Sequence, residues 1–147
     1  MAKSDISRFA SSELAQETEF LLARASATGT GHANSRLLTL GLKARSYAVL
    51  SLAASGLEPT QRELAEFLSL DASQIVAIVD QLEKAELVER QPAPTDRRTN
   101  VIVATAAGQK VYARARAVAH ETEAESLSGL SADEREDLRR LLSKITL

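Results

Sequence analysis

Two adjacent arginines, Arg97 and Arg98, stand in the stretch QPAPTDRRTN over residues 91–100. A guanidinium is permanently charged and offers a planar fork of donors suited to phosphate or carboxylate oxygens. Pro92, Pro94, Asp96 and Asn100 around the pair are turn formers, and each proline denies the backbone a donor. Apolar runs flank them, Leu87-Val88 before and Val101-Ile102-Val103 after. The pattern predicts two short strands joined by a projecting loop with a cationic tip. Asp96 would repel phosphate, so its expected role is internal: pairing with Arg97 or Arg98 and fixing the loop. Such a tip is either a solvated turn or a probe for something negative, and the elements around it must decide.

Other chemistry is sparse. The chain has no cysteine among its 147 residues, which excludes disulfides, thiol catalysis, peroxide sensing by thiol oxidation and cysteine-ligated zinc. His32 and His120 are far apart in sequence, and His120 with Glu121, Glu123 and Glu125 reads as a solvated acidic face, so no metal site is expected. Serines are plentiful, but none has a recognisable base and orienting group, so no enzyme is expected. Thr28-Gly29-Thr30-Gly31-His32 lacks the preceding strand and following lysine of a phosphate loop, and reads as a connector between helices. No cofactor is implied. The N-terminus has no long apolar core and no stretch is long and apolar enough to span a membrane, so a cytoplasmic protein is expected.

The elements that would position the arginines follow from periodicity and caps. Apolar residues make up 44% of the chain and aromatics only 3%, so the core must come from Leu, Ile, Val and Ala, which suits a helical protein. Residues 5–26 predict a first helix, ended by the glycines at 29 and 31. Residues 36–55 predict a second helical region, with Gly41 as a kink or a break into two pieces. Thr60 and Glu63 form a capping box ahead of a short helix. After the turn Ser69-Leu70-Asp71, a second box, Asp71 with Gln74, starts another helix running to about Glu86. Two helices joined by a three-residue turn are a helix-turn-helix. Beyond the hairpin, Thr105 opens a long helix to about Ser128, and a third box, Ser131 with Glu134, opens the last one.

At about 100° per residue, Ile75, Ile78, Val79 and Leu82 share one face of the second helix of the pair. Ser73, Ala77, Asp80 and Lys84 occupy the opposite face, with Gln74, Val76 and Gln81 on its flanks. Ser and Gln can bond base edges in a major groove, and Val or Ala can meet thymine methyl groups. Small residues there would equally let the helix lie against any close surface. A cationic hairpin beside such a helix is the arrangement of a winged helix, whose tip can enter a narrow minor groove. The expected fold is therefore mainly α with a small β-hairpin wing: a winged helix-turn-helix of about six helices in a single domain.

Residues from about 37 to 146 resemble the MarR (multiple antibiotic resistance regulator) family of bacterial transcription factors. The resemblance is carried by DQLEKAELVER, the DRR of the hairpin and the T-x-x-G at Thr105–Gly108, at the spacing seen in QRELAEFLSLDASQIVAIVDQLEKAELVERQPAPTDRRTNVIVATAAGQKVY. It implies an obligate homodimer, triangular in outline, with a recognition helix at 72–86 and a wing at 90–103. Segments 1–35 and 105–147 would dimerise, and 36–104 would form the DNA-binding lobe. It further implies a repressor released by a small aromatic or phenolic acid bound between the dimer helices and the lobe. The candidates for that ligand are His32, Arg36, Arg45, Tyr47, Tyr112 and Arg116.

One departure matters. The family often has a basic residue on the exposed middle of the recognition helix, where this chain has Ala77, and no Lys or Arg occurs from Asp71 to Glu83. Base contacts then fall on Ser73, Gln74, Val76, Ala77 and Gln81, with Arg62, Arg97 and Arg98 supplying phosphate or minor-groove contacts. The expected partner is double-stranded DNA with a pseudo-palindromic site, since a two-fold dimer sets its recognition helices about one DNA turn apart. Few phosphates can be neutralised, so the salt dependence should be limited. Between Thr60 and Ala104, five basic residues stand against eight acidic ones. That balance keeps open a winged-helix dimer that binds protein instead of nucleic acid.

Overall fold

The computed structural model describes residues 5–147. Two short 3-10 turns, Ser7–Ser11 and Glu13–Gln16, precede helix α1 (Thr18–Leu37). Helices α2 (Ala44–Ala53), α3 (Gln61–Leu68) and α4 (Ala72–Lys84) follow. A hairpin of β1 (Val88–Pro92) and β2 (Asn100–Ala104) leads into α5 (Ala106–Ser126) and α6 (Ala132–Thr146). The described residues thus form a mainly helical winged helix-turn-helix with six α-helices and one antiparallel two-stranded sheet, as the sequence predicts.

The first helix departs from its expected bounds. It begins later, at Thr18, and runs through Gly29 and Gly31 without a break. Each glycine costs about 1 kcal/mol against alanine in a helix, but neither adopts a positive φ, and α1 packs along α5 for much of its length. Tertiary packing outweighs the local propensity. The break falls instead at Gly41, whose φ of 71° ends a 3-10 turn at Leu38–Leu40. Of the two alternatives at this glycine, the chain takes the break. The Asn34 side chain accepts from the Ala44 amide at 2.7 Å and so stitches α1 to the first turn of α2.

The core lies where α2, α3 and α4 meet the hairpin. Leu50, Leu64, Ile75, Val79 and Ile102 are fully buried there. Ile75, Val79 and Leu82 are buried on α4 and Ile78 is half-buried, so the inward face of this helix matches its periodicity. Truncating one such side chain to alanine would cost about 2–5 kcal/mol. β1 and β2 pair from Val88 with Ala104 to Pro92 with Asn100. A further bridge joins Thr60 to Val101, and the Ile102 amide donates to the Pro59 carbonyl at 2.8 Å. The entry to α3 therefore covers the free edge of β2, an interaction with no local signature.

Where β2 turns into α5, Thr105 fastens the hairpin to the end of the α4 segment. Its hydroxyl donates to the Glu86 carbonyl at 2.6 Å and accepts from the Gly108 amide at 2.9 Å. Its own amide donates to the Leu87 carbonyl at 3.0 Å. A Cβ on Gly108 would lie 1.9 Å from the Leu87 oxygen. That is the physical reason for glycine in the T-x-x-G motif. By contrast α6 touches the rest of its own chain only sparsely, although it is amphipathic and exposes Leu141 and Ile145.

Candidate nucleic-acid interface

The outward face of α4 is small and uncharged at its start. Ser73, Val76 and Ala77 are exposed, and Val76, at 39% exposure, is an apolar side chain held where solvent would otherwise select a polar one. Gln74 is half-buried and its Oε1 accepts from the Asp71 amide at 3.1 Å, closing the helix start. Its amide NH2 group remains the end able to donate elsewhere. Gln81 is exposed one turn beyond Ala77.

Arg97 and Arg98 are both exposed at the tip of the hairpin, and neither forms an ion pair among the described residues. Asp96 does not pair with their guanidinium groups, contrary to the expectation. Its Oδ1 accepts from the Arg98 backbone amide at 2.9 Å and its Oδ2 from the Thr99 hydroxyl at 3.3 Å. The carboxylate is spent on the turn itself, because backbone donors two residues on lie within reach of a short side chain without ordering a long one. The two charges are left free. Arg62, exposed on the first turn of α3, lines a cleft of about 560 Å³ together with Thr60, Gln61, Arg90, Thr99 and Asn100.

Arg90 is a basic residue of the lobe to which the sequence reading gives no role. From β1 its NH1 donates to Glu83 at 3.0 Å, its NH2 to Asp80 at 2.5 Å and its Nε to the Gln61 side chain at 2.9 Å. Its backbone amide donates to the other Glu83 oxygen at 3.2 Å. The root of the hairpin is thereby tied to the exposed flank of α4 and to the start of α3. Asp80 and Arg90 are ten residues apart across a turn, so no helical spacing announces the pair.

A second cleft, of about 440 Å³, opens between α1, α2 and α4. Thr30, Asn34, Lys43, Arg45 and Ser46 line one side, and Gln74, Ala77, Ile78 and Gln81 of α4 line the other. Of the six residues expected to hold a ligand, only Arg45 lines it. His32 and Arg36 lie on α1, and Arg36 is paired with Glu125 of α5 at 2.6 Å. Tyr47 and Tyr112 stack on each other, with ring centroids 6.2 Å apart and planes 22° apart, and so join α2 to α5. Burial raises the Tyr47 phenol above its ordinary value, with smaller contributions from Tyr112 and Glu123 and an opposing one from Arg116. It remains a neutral donor at neutral pH. Lys43, absent from the expected set, lies in the loop before α2, where nothing in the local sequence points to the cleft.

A sequence profile of the MarR family matches residues 40–99, the span from the break at Gly41 to the hairpin tip. The fold is similar to a MarR-family transcriptional regulator from Rhodococcus sp. RHA1. The two are 35% identical with a TM-score of 0.87, over 93% of this chain and 97% of the other. It is also similar to CouR from Rhodococcus jostii RHA1, whose structure was solved bound to p-coumaroyl-CoA, at 36% identity and a TM-score of 0.84 over 93% and 96% of the two chains. A Mycobacterium tuberculosis MarR family protein in complex with p-aminosalicylic acid is 25% identical, with a TM-score of 0.74 over 88% and 98%. With a winged helix-turn-helix of this order and a relative of this identity along nearly its whole length, the chain belongs to the MarR family of transcriptional regulators.

Proposed function

We propose that this chain is a homodimeric, sequence-specific double-stranded DNA-binding regulator, acting as a repressor released by a small anionic aromatic ligand. The observation that carries the reading is the pairing of two surfaces. An outward helix face of Ser73, Val76, Ala77 and Gln81 can approach base edges closely. Beside it stands a hairpin whose arginines are exposed and form no ion pair among the described residues. The helix suits the major groove and the tip the minor groove. Specific contacts fall on Ser73, Gln74, Val76, Ala77 and Gln81, and Arg62, Arg97 and Arg98 meet phosphates or the groove floor. Segments 1–35, of which residues 1–4 lie outside those described, and 105–147 form the dimer in this reading, and 36–104 the DNA-binding lobe. A gel shift with the DNA flanking its own gene tests this. The expected result is a discrete complex that Arg97→Ala/Arg98→Ala abolishes without lowering the melting temperature. An unshifted duplex, or a double variant that still binds fully, would sink the reading.

The ligand site of this proposal is the cleft behind α4. Lys43 and Arg45 supply two cations for a carboxylate or phosphate, and Ile78 and Ala77 an apolar wall. The relatives solved with p-coumaroyl-CoA and p-aminosalicylic acid support an aromatic acid or its thioester as the class. Gln74, Ala77 and Gln81 belong to both the cleft and the reading face, so an occupied cleft competes directly for residues that DNA would engage.

A further inference from the structure

The proposed DNA surface contains a problem that its own side chains must solve. Asp80 lies one helical turn beyond Val76 and Ala77 on α4, with its side chain 59% exposed, and Glu83 follows at 43%. Two carboxylates on the flank of a helix that enters a groove would face phosphates, and α4 carries no basic residue before Lys84. Like charges brought together at an interface oppose binding.

We infer that Arg90 is a positioning residue for DNA binding, which acts by masking the Asp80 and Glu83 carboxylates of the recognition helix. Its guanidinium spans both acids, at 2.5 Å and 3.0 Å, and is steadied by Gln61 at 2.9 Å. Three of its five side-chain N–H donors are already engaged, so its guanidinium is turned mainly to the two acids and Gln61. Its side chain is itself 23% exposed, and ion pairs that open to water add little to stability. The constellation is better suited to shaping the field of α4 than to holding the lobe together. The inference rests on the DNA-binding reading. It gives a local account of how such a helix could meet a polyanion: Arg90 sets its positive charge against the two carboxylates that α4 would otherwise present unpaired.

The test uses the full-length chain and a random-sequence duplex, because non-specific binding is electrostatic and needs no knowledge of the operator. Affinity is measured by fluorescence anisotropy across a salt series for four proteins: wild type, Arg90→Met, Asp80→Asn/Glu83→Gln, and the three changes combined. Arg90→Met should weaken binding about tenfold at low salt, and the deficit should shrink as salt rises, because repulsion is screened. The triple variant should recover to within about threefold of wild type, since its carboxylates are gone with their mask. The Asp80→Asn/Glu83→Gln protein should bind more tightly than wild type, with Arg90 released as a free cation. A purely structural Arg90 would instead give a triple variant as weak as Arg90→Met, and that result overturns the inference, as does wild-type affinity in Arg90→Met. Should Arg90→Met misfold by circular dichroism, the Asp80→Asn/Glu83→Gln protein decides alone, and unchanged affinity there counts against masking. A wild type that binds no duplex overturns the DNA-binding reading together with this one.

Discussion

Arg62 and the hairpin arginines differ in what surrounds them, and so in what their loss should do. Arg62 stands in the first turn of α3 at the mouth of an open cleft, beside Thr99 and Asn100 of the hairpin. No base-reading side chain lines that cleft. Its contact would be to phosphate, which carries no sequence information. Arg62→Ala should therefore weaken specific and non-specific complexes alike and reduce the salt slope by about one per protomer. A preferential loss on the specific site would show that Arg62 reads bases. At the same scale the structure reassigns Asp96. Its carboxylate is internal to the loop as expected, but it binds an amide and a hydroxyl and not a guanidinium, and Arg97 and Arg98 form no ion pair among the described residues.

At the scale of elements, two joints hold the winged-helix lobe in place. The first is the corner where β2 meets α5. Gly108 permits α5 to run against the Leu87 carbonyl, and Gly108→Ala would press a methyl into a backbone oxygen that no rotamer can avoid. The expected loss is about 3 kcal/mol, seen as a fall in Tm of roughly 10 °C. A Gly108→Ala protein melting like wild type would mean that α5 can shift freely at this joint. The second is the start of α3, where the Thr60 amide and hydroxyl both donate to Glu63 at 2.8 Å. Those bonds hold the Glu63 carboxyl below its ordinary value of 4.5. A folded value lower than the unfolded one means that the cap stabilises above about 4.5 and fades as pH falls through the folded value. Wild type should melt above Glu63→Ala at pH 7, and the gap should close in acid. A gap that persists at every pH would show that the carboxylate charge is irrelevant to the cap.

For the whole molecule, the apolar surface left uncovered argues for a second copy. Ile6, Phe9, Leu14 and Leu21 line an apolar concavity of about 700 Å³ at the N-terminal end. Leu141 and Ile145 are 53% and 70% exposed on a helix that its own chain barely supports. Surfaces of this kind on a monomer mark an interface. If the proposed dimer forms through this face, Leu141→Glu/Ile145→Glu should be a monomer by light scattering where wild type is a dimer, with a lower Tm that depends on concentration. A double variant that keeps its mass would place the dimer contacts elsewhere.

Much of this was legible from residues near one another in the chain. The capping boxes at Thr60 and Ser131, the inward face of Ile75, Val79 and Leu82, the hairpin between two apolar runs and the Thr105 cap all rest on spacings of two to four residues. Such spacings decide which side chains meet within a single element. The tertiary structure decided what those spacings cannot carry. The glycines at 29 and 31 stay helical because α5 lies alongside α1, not because their own propensity favours it. Arg90 joins three elements, and the cleft behind α4 takes Lys43 and Arg45 from one region and Gln74 and Gln81 from another. Contacts between residues distant in sequence depend on how whole elements dock. Docking minimises exposed apolar area over the entire chain, and no local window contains that sum.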